Sequence, residues 1–139
     1  MYLYRLLLAI FVLGLVGVLA ELLLLEHFED LWQFVPLGLI VLGIGAALVW
    51  SWRPSLRSRR VFQGVLGLFA LSGAGGLFLH YRVNVEFEVE MDPSIGGLAL
   101  FREAMMGATP ALAPGTMVLF AAIGLTLLSA RRPPGPPSF

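Results

Sequence analysis

Four apolar runs of about 20 residues, almost free of charge, leave this chain few ways to fold. Residues 6–25 hold one ionisable side chain, Glu21, while residues 31–52, 61–79 and 111–130 hold none. A hydrocarbon layer about 30 Å thick is crossed by about 20 helical residues rising 1.5 Å each. The pattern therefore predicts four spans, at about 6–28, 31–52, 61–80 and 113–130. Barrel strands are excluded because they alternate polar and apolar residues in segments of about ten, and these runs do not. Composition agrees: 13% of residues are charged and 58% hydrophobic, against about 25% charged in a soluble domain. The expected fold class is an all-α membrane protein, a four-transmembrane-helix bundle with a short amphipathic extracytoplasmic helix. It forms a single domain over 1–132, followed by a disordered Pro-rich cytoplasmic tail at 133–139.

Charge sets the expected sidedness, since short cytoplasmic loops collect Arg and Lys. Arg5, then Arg53, Arg57, Arg59 and Arg60, then Arg131 and Arg132 fall where a four-span chain returns to one side. Every carboxylate falls on the other: Glu21, Glu26, Glu29 and Asp30 after the first span, and Glu86, Glu88, Glu90, Asp92 and Glu103 after the third. Arg82 and Arg102 join the carboxylates. Both termini are thus expected in the cytoplasm of a cell whose inner membrane the chain crosses. Arg5 followed by an apolar stretch and Val18-Leu19-Ala20 also resembles a cleavable signal. The run continues through Leu25, long enough to span, so an uncleaved helix is the expectation.

Spanning helices gain little by hiding apolar surface from lipid, so small residues that admit close approach mark the expected contact faces. Gly14, Gly17, Gly38, Gly43, Gly45, Gly64, Gly67, Gly73, Gly75 and Gly76 are the candidates, and the glycine-rich third span is expected to pack centrally. Trp32, Trp50 and Trp52 bracket the second span, where an indole favours the membrane interface.

Residues 81–112 form the extracytoplasmic segment. Val83, Val85, Phe87, Val89 and Met91 alternate with polar residues as in a half-buried strand. No second strand is available to pair with it, so continuation of the third helix is preferred. Asp92-Pro93 reads as an N-cap and first helical position, and Gly107 as a terminator. A short helix between them would lie on the outer membrane interface, with Leu98, Phe101 and Met105 on one face and Arg102 and Glu103 turned to water, although Gly96-Gly97 weakens it.

Chemistry has few places to reside. The absence of Cys and Lys excludes thiol nucleophiles, disulfides, P-loops and Schiff bases. His27 and His80, with Glu26, Glu29 and Glu86, form a candidate metal set on the acidic side, and two histidines could also hold a haem iron. No HExxH, CxxCH or i, i+4 histidine pair supports it, and histidines bonded to carboxylates or water are the plainer reading. Glu21, about one turn inside its span, is a candidate proton or cation site or an ion-pair partner of Arg82 or His80. The loop arginines suit topology and anionic headgroups, so nucleic acid is not expected.

Ala20–Trp32, His80–Glu88 and Gly107–Gly115 together resemble small four-span bacterial integral membrane proteins. The resemblance implies a multi-pass fold and brings no reaction, ligand or partner. The expected function is a non-enzymatic accessory or scaffold subunit presenting the acidic segment to a membrane-protein partner or a second copy. A metal or haem binder using His27 and His80 is the alternative from a second class, and proton or cation transport through Glu21 from a third. No cofactor is favoured, and the lipid bilayer is the one partner composition implies.

Overall fold

A computed structural model describes residues 2–26 and 28–131, and these are all-helical. The chain runs through α1 (Tyr2–Leu24), a 3-10 turn (Leu31–Gln33) leading into α2 (Phe34–Trp52), α3 (Leu56–Met91), α4 (Gly97–Met106) and α5 (Gly115–Ala130). Tyr2–Leu24, Leu31–Trp52 and Leu56–Met91 are long and apolar enough to cross a membrane. α5 is equally apolar but has 16 residues, about 24 Å of helix. It starts two residues later than expected because the chain from Pro110 to Pro114 is occupied by turns, with Ala113 N–H donating to the Pro110 carbonyl at 3.2 Å and Gly115 N–H to Leu112 at 2.9 Å. The tail at 133–139 lies outside the described residues, as does Arg132.

The helices close a ring in which α1 packs on α2 and α5, and α3 packs on α2 and α5; α4 packs on the far end of α3. Phe11 of α1 sits at the centre, fully buried. Its ring meets Phe62 edge-on at 5.5 Å, Phe120 edge-on at 6.0 Å and Phe69 stacked at 6.5 Å. Such aromatic pairs contribute about 0.5–1.5 kcal/mol each beyond burial.

Glycine notches receive these rings. A Cβ on Gly14 would lie 2.6 Å from Phe120, and one on Gly43 2.5 Å from Phe69. Gly124 is notched against Leu66 in the same way, and Gly73 against Val118 and the Pro114 carbonyl. Gly76 takes the Pro114 ring. The expectation that each of the candidate glycines marks a contact is corrected for Gly17, Gly38, Gly45, Gly64, Gly67 and Gly75, which have nothing within 4 Å of a built Cβ. Positions two apart on a helix point in nearly opposite directions, so Gly43 meets Phe69 while Gly45 faces away, and Gly73 meets Val118 while Gly75 does not. Trp50 is a second correction. Trp32 and Trp52 are exposed, but Trp50 is fully buried in the core.

α3 resolves the strand-or-helix alternative. The alternating segment 82–91 is helical, continuing α3 by the twelve residues His80–Met91 beyond its apolar stretch, about 18 Å. A helix satisfies its backbone groups locally, whereas a lone strand would not. Asp92 caps the C-terminus of α3 instead of starting the next helix. Its Oδ1 accepts from Ser94 Oγ at 2.6 Å and Ser94 N–H at 2.9 Å, making a tight turn. α4 begins later, after Gly96, with Gly97 at φ +58°, a left-handed conformation that favours glycine. Gly107 ends it, as expected.

Candidate functional site at the acidic end

The chain's two ends differ in chemistry. At one end Arg131 joins three helices: its Nη1 donates to the Ser51 carbonyl at 2.8 Å, the Trp50 carbonyl at 3.2 Å and the Tyr4 hydroxyl at 3.2 Å. Its guanidinium also lies 5.1 Å from the Tyr4 ring centroid and 5.6 Å from that of Trp50. The start of α1 and the ends of α2 and α5 therefore meet there, and the Arg53–Arg60 corner belongs to the same end. The carboxylates follow the opposite ends of these helices.

The acidic end is organised by Asn84, 3% exposed on α3. Its Nδ2 donates to the carbonyls of Ala104 at 2.8 Å and Thr109 at 2.7 Å, and its Oδ1 accepts from Thr109 N–H at 3.1 Å. A Cβ on Gly107 would lie 2.7 Å from the Asn84 amide carbon, so glycine lets the backbone close over it. One side chain thus fixes both α4 and the turn that returns to α5. His80, one turn earlier, donates from Nδ1 to the Pro110 carbonyl at 3.0 Å. That bond commits one ring nitrogen to the turn.

The face of α4 that docks on α3 is the one that carries Ala104. Ala104 is fully buried and Leu100 half-buried, while Leu98 is 81% and Phe101 51% exposed. Docking onto α3 beside Asn84 turns the Leu98 face outward, with Phe101 meeting Tyr81 at 5.9 Å between ring centroids. On α3, Val83, Phe87 and Met91 stay exposed at i, i+4 and i+8. An apolar surface on two elements therefore lies among Glu86, Glu90 and Glu103, all exposed.

The candidate metal set is not brought together among the described residues, where no three His, Asp or Glu side chains converge. His27 lies outside the described residues. Glu26 and Glu29 are exposed in the turn after α1, where Glu29 N–H donates to Gln33 Oε1 at 2.7 Å. Glu86 is engaged elsewhere, accepting from Arg82 Nε at 2.8 Å. Both partners are more than half exposed, so the pair contributes about 0–1 kcal/mol. Arg82 is thereby directed along its own helix to Glu86, and the expected bridge from Glu21 to Arg82 or His80 is not formed; Glu21 is exposed on α1. The Asp92 carboxyl is held below its ordinary value of 3.8 by the Ser94 hydroxyl first and the Ser94 N–H second.

Sequence reasoning missed Asn84, Arg131, Tyr4 and Gly124. An uncharged amide inside a segment otherwise alternating apolar and acidic residues was the available signal for Asn84. No family model, curated protein or solved structure matches this chain.

Proposed function

We propose that the chain is a four-span inner-membrane protein with both termini cytoplasmic, acting as a non-catalytic scaffold subunit that presents a rigid outer module to a membrane-protein partner. The module comprises the overhang of α3, α4 and the 107–114 turn. The observation that carries the reading is its combination of a fully bonded interior and an uncovered exterior: Asn84 is buried and paired through both amide atoms, while Phe87 and Met91 stay 51% and 70% exposed. An exposed apolar patch rimmed by charge is the signature of an interaction surface. The acidic rim favours a partner with basic groups around an apolar contact. α5 supports a fourth span, being apolar along its 16 residues and packed against α1 and α3.

Photo-crosslinking from position 87 in cells tests the proposal. The expected product is one defined membrane protein, lost in a Met91→Glu variant whose melting temperature is unchanged. Crosslinks to lipid alone would overturn the partner reading, and crosslinks only to a second copy would replace the partner with self-assembly.

A further inference from the structure

A groove of about 490 Å³ runs between α2 and α3 at the arginine end. Val41, Val49, Val61 and Val65 line its apolar length, and Arg53 and Arg57 close one end. Gly45 deepens it, having nothing within 4 Å of a built Cβ. From Val41 to Arg53 the α2 side extends roughly 18 Å. The groove's lining is apolar along this length, so a hydrocarbon chain packs against it without leaving a polar group unpaired.

The polar end is a built corner. Ser55 N–H donates to Ser58 Oγ and Ser58 N–H to Ser55 Oγ, both at 3.0 Å, a reciprocal cap on α3. The Ser58 hydroxyl also donates to the Arg53 carbonyl at 2.9 Å, tying the end of α2 to the start of α3. Arg53 and Arg57 are thus held on the same side of a rigid turn. Both side chains are exposed, and neither forms an ion pair among the described residues. Guanidinium forks match phosphate oxygens geometrically as well as electrically. An apolar slot ending in two uncommitted arginines complements a molecule with a hydrocarbon tail and an anionic phosphodiester head.

We infer that the α2–α3 groove is a site for one anionic phospholipid, its acyl chain lying between Val41 and Val65 and its phosphate held by Arg53 and Arg57. The inference rests on the membrane-spanning reading above, which places these arginines at the inner leaflet, where anionic headgroups concentrate. Bound lipid would brace α2 against α3 at the corner where the chain reverses.

Native mass spectrometry of the purified full chain in neutral detergent tests it, with phosphatidylglycerol and phosphatidylcholine of identical acyl chains as probes. The expected result is a one-to-one phosphatidylglycerol adduct favoured about tenfold over phosphatidylcholine. Arg53→Gln with Arg57→Gln should remove the preference, and Gly45→Trp, which fills the slot, should reduce the adduct of either lipid. Equal retention of both lipids by the unaltered chain overturns the inference. So does inorganic phosphate competing as effectively as the lipid, since the site would then read phosphate alone, and so does an adduct unaffected by Gly45→Trp. Chain released from cell membranes by alkaline carbonate without detergent would instead refute the spanning reading itself.

Discussion

Replacing Asn84 by alanine would leave the Thr109 N–H and the Ala104 and Thr109 carbonyls without their partner in a buried site. Stranding such groups costs about 1–3 kcal/mol. The expected outcome is a lower melting temperature in detergent, with protease cleavage between α4 and α5 rising before global unfolding. Arg131 makes a parallel case at the other end. Arg131→Ala should destabilise the bundle by about 1–3 kcal/mol, by removing two charge-assisted bonds to carbonyls and the cation–π stacking; thermal unfolding measures it, and lysine should restore only part because it lacks the planar fork. Asp92 supplies a pH dependence. Its folded pKa is below 3.8, so the ionised carboxylate favours the Asp92–Ser94 turn at neutral pH. That contribution is complete above the ordinary value and is lost as pH falls through the lowered one. Amide exchange at Ser94, corrected for its intrinsic pH dependence, should show protection falling over that acid window, and Asp92→Asn should remove the pH dependence.

Between elements, selectivity among glycines is the sharpest consequence of the packing. Gly43 and Gly45 are two residues apart on α2, yet a Cβ at 43 would overlap Phe69 while one at 45 meets open space. Gly43→Ala should therefore cost about 1–3 kcal/mol through overpacking, whereas Gly45→Ala should be neutral or stabilising by up to about 1 kcal/mol through helix propensity. Parallel melting curves in one detergent decide it. Equal effects would mean α2 is rotated relative to the described packing. A count of glycines in the sequence therefore overstates the interfaces: Phe69, Phe120, Leu66, Val118 and Pro114 fill particular notches, while Gly17, Gly38, Gly45, Gly64, Gly67 and Gly75 meet no neighbour.

For the whole molecule, Arg131 together with Tyr4, Trp50 and Ser51 brings the arginine-rich ends of the helices to one pole. The acidic overhang of α3 occupies the other pole. Reporter fusions at Arg57 and Glu88 should accordingly fall in opposite compartments, with Arg57 cytoplasmic. Finding both on one side would dismantle the inner lipid site and outer docking module together. The two proposals otherwise fail separately, because Phe87 and Arg57 sit at opposite ends of α3 and no step in either depends on the other.

Hydropathy and charge along the chain were enough to determine that it is helical, that its long helices are apolar enough to cross a membrane, and that basic and acidic residues segregate. These properties are additive preferences of each residue for lipid or water, and they survive without knowledge of any neighbour. The helical reading of 82–91 followed from the same kind of argument, since an unpaired strand has nowhere to place its backbone groups. The rotation of each helix about its axis was beyond that reach. Rotation decides that Trp50 is buried while Trp52 is exposed, that Gly43 is a notch and Gly45 part of a groove, that α4 lays Ala104 against α3 and leaves Leu98 outside, and that Arg82 is directed toward Glu86. Each of these is a property of a pair of surfaces, set by which ring fits which gap, and it exists only once the helices are packed.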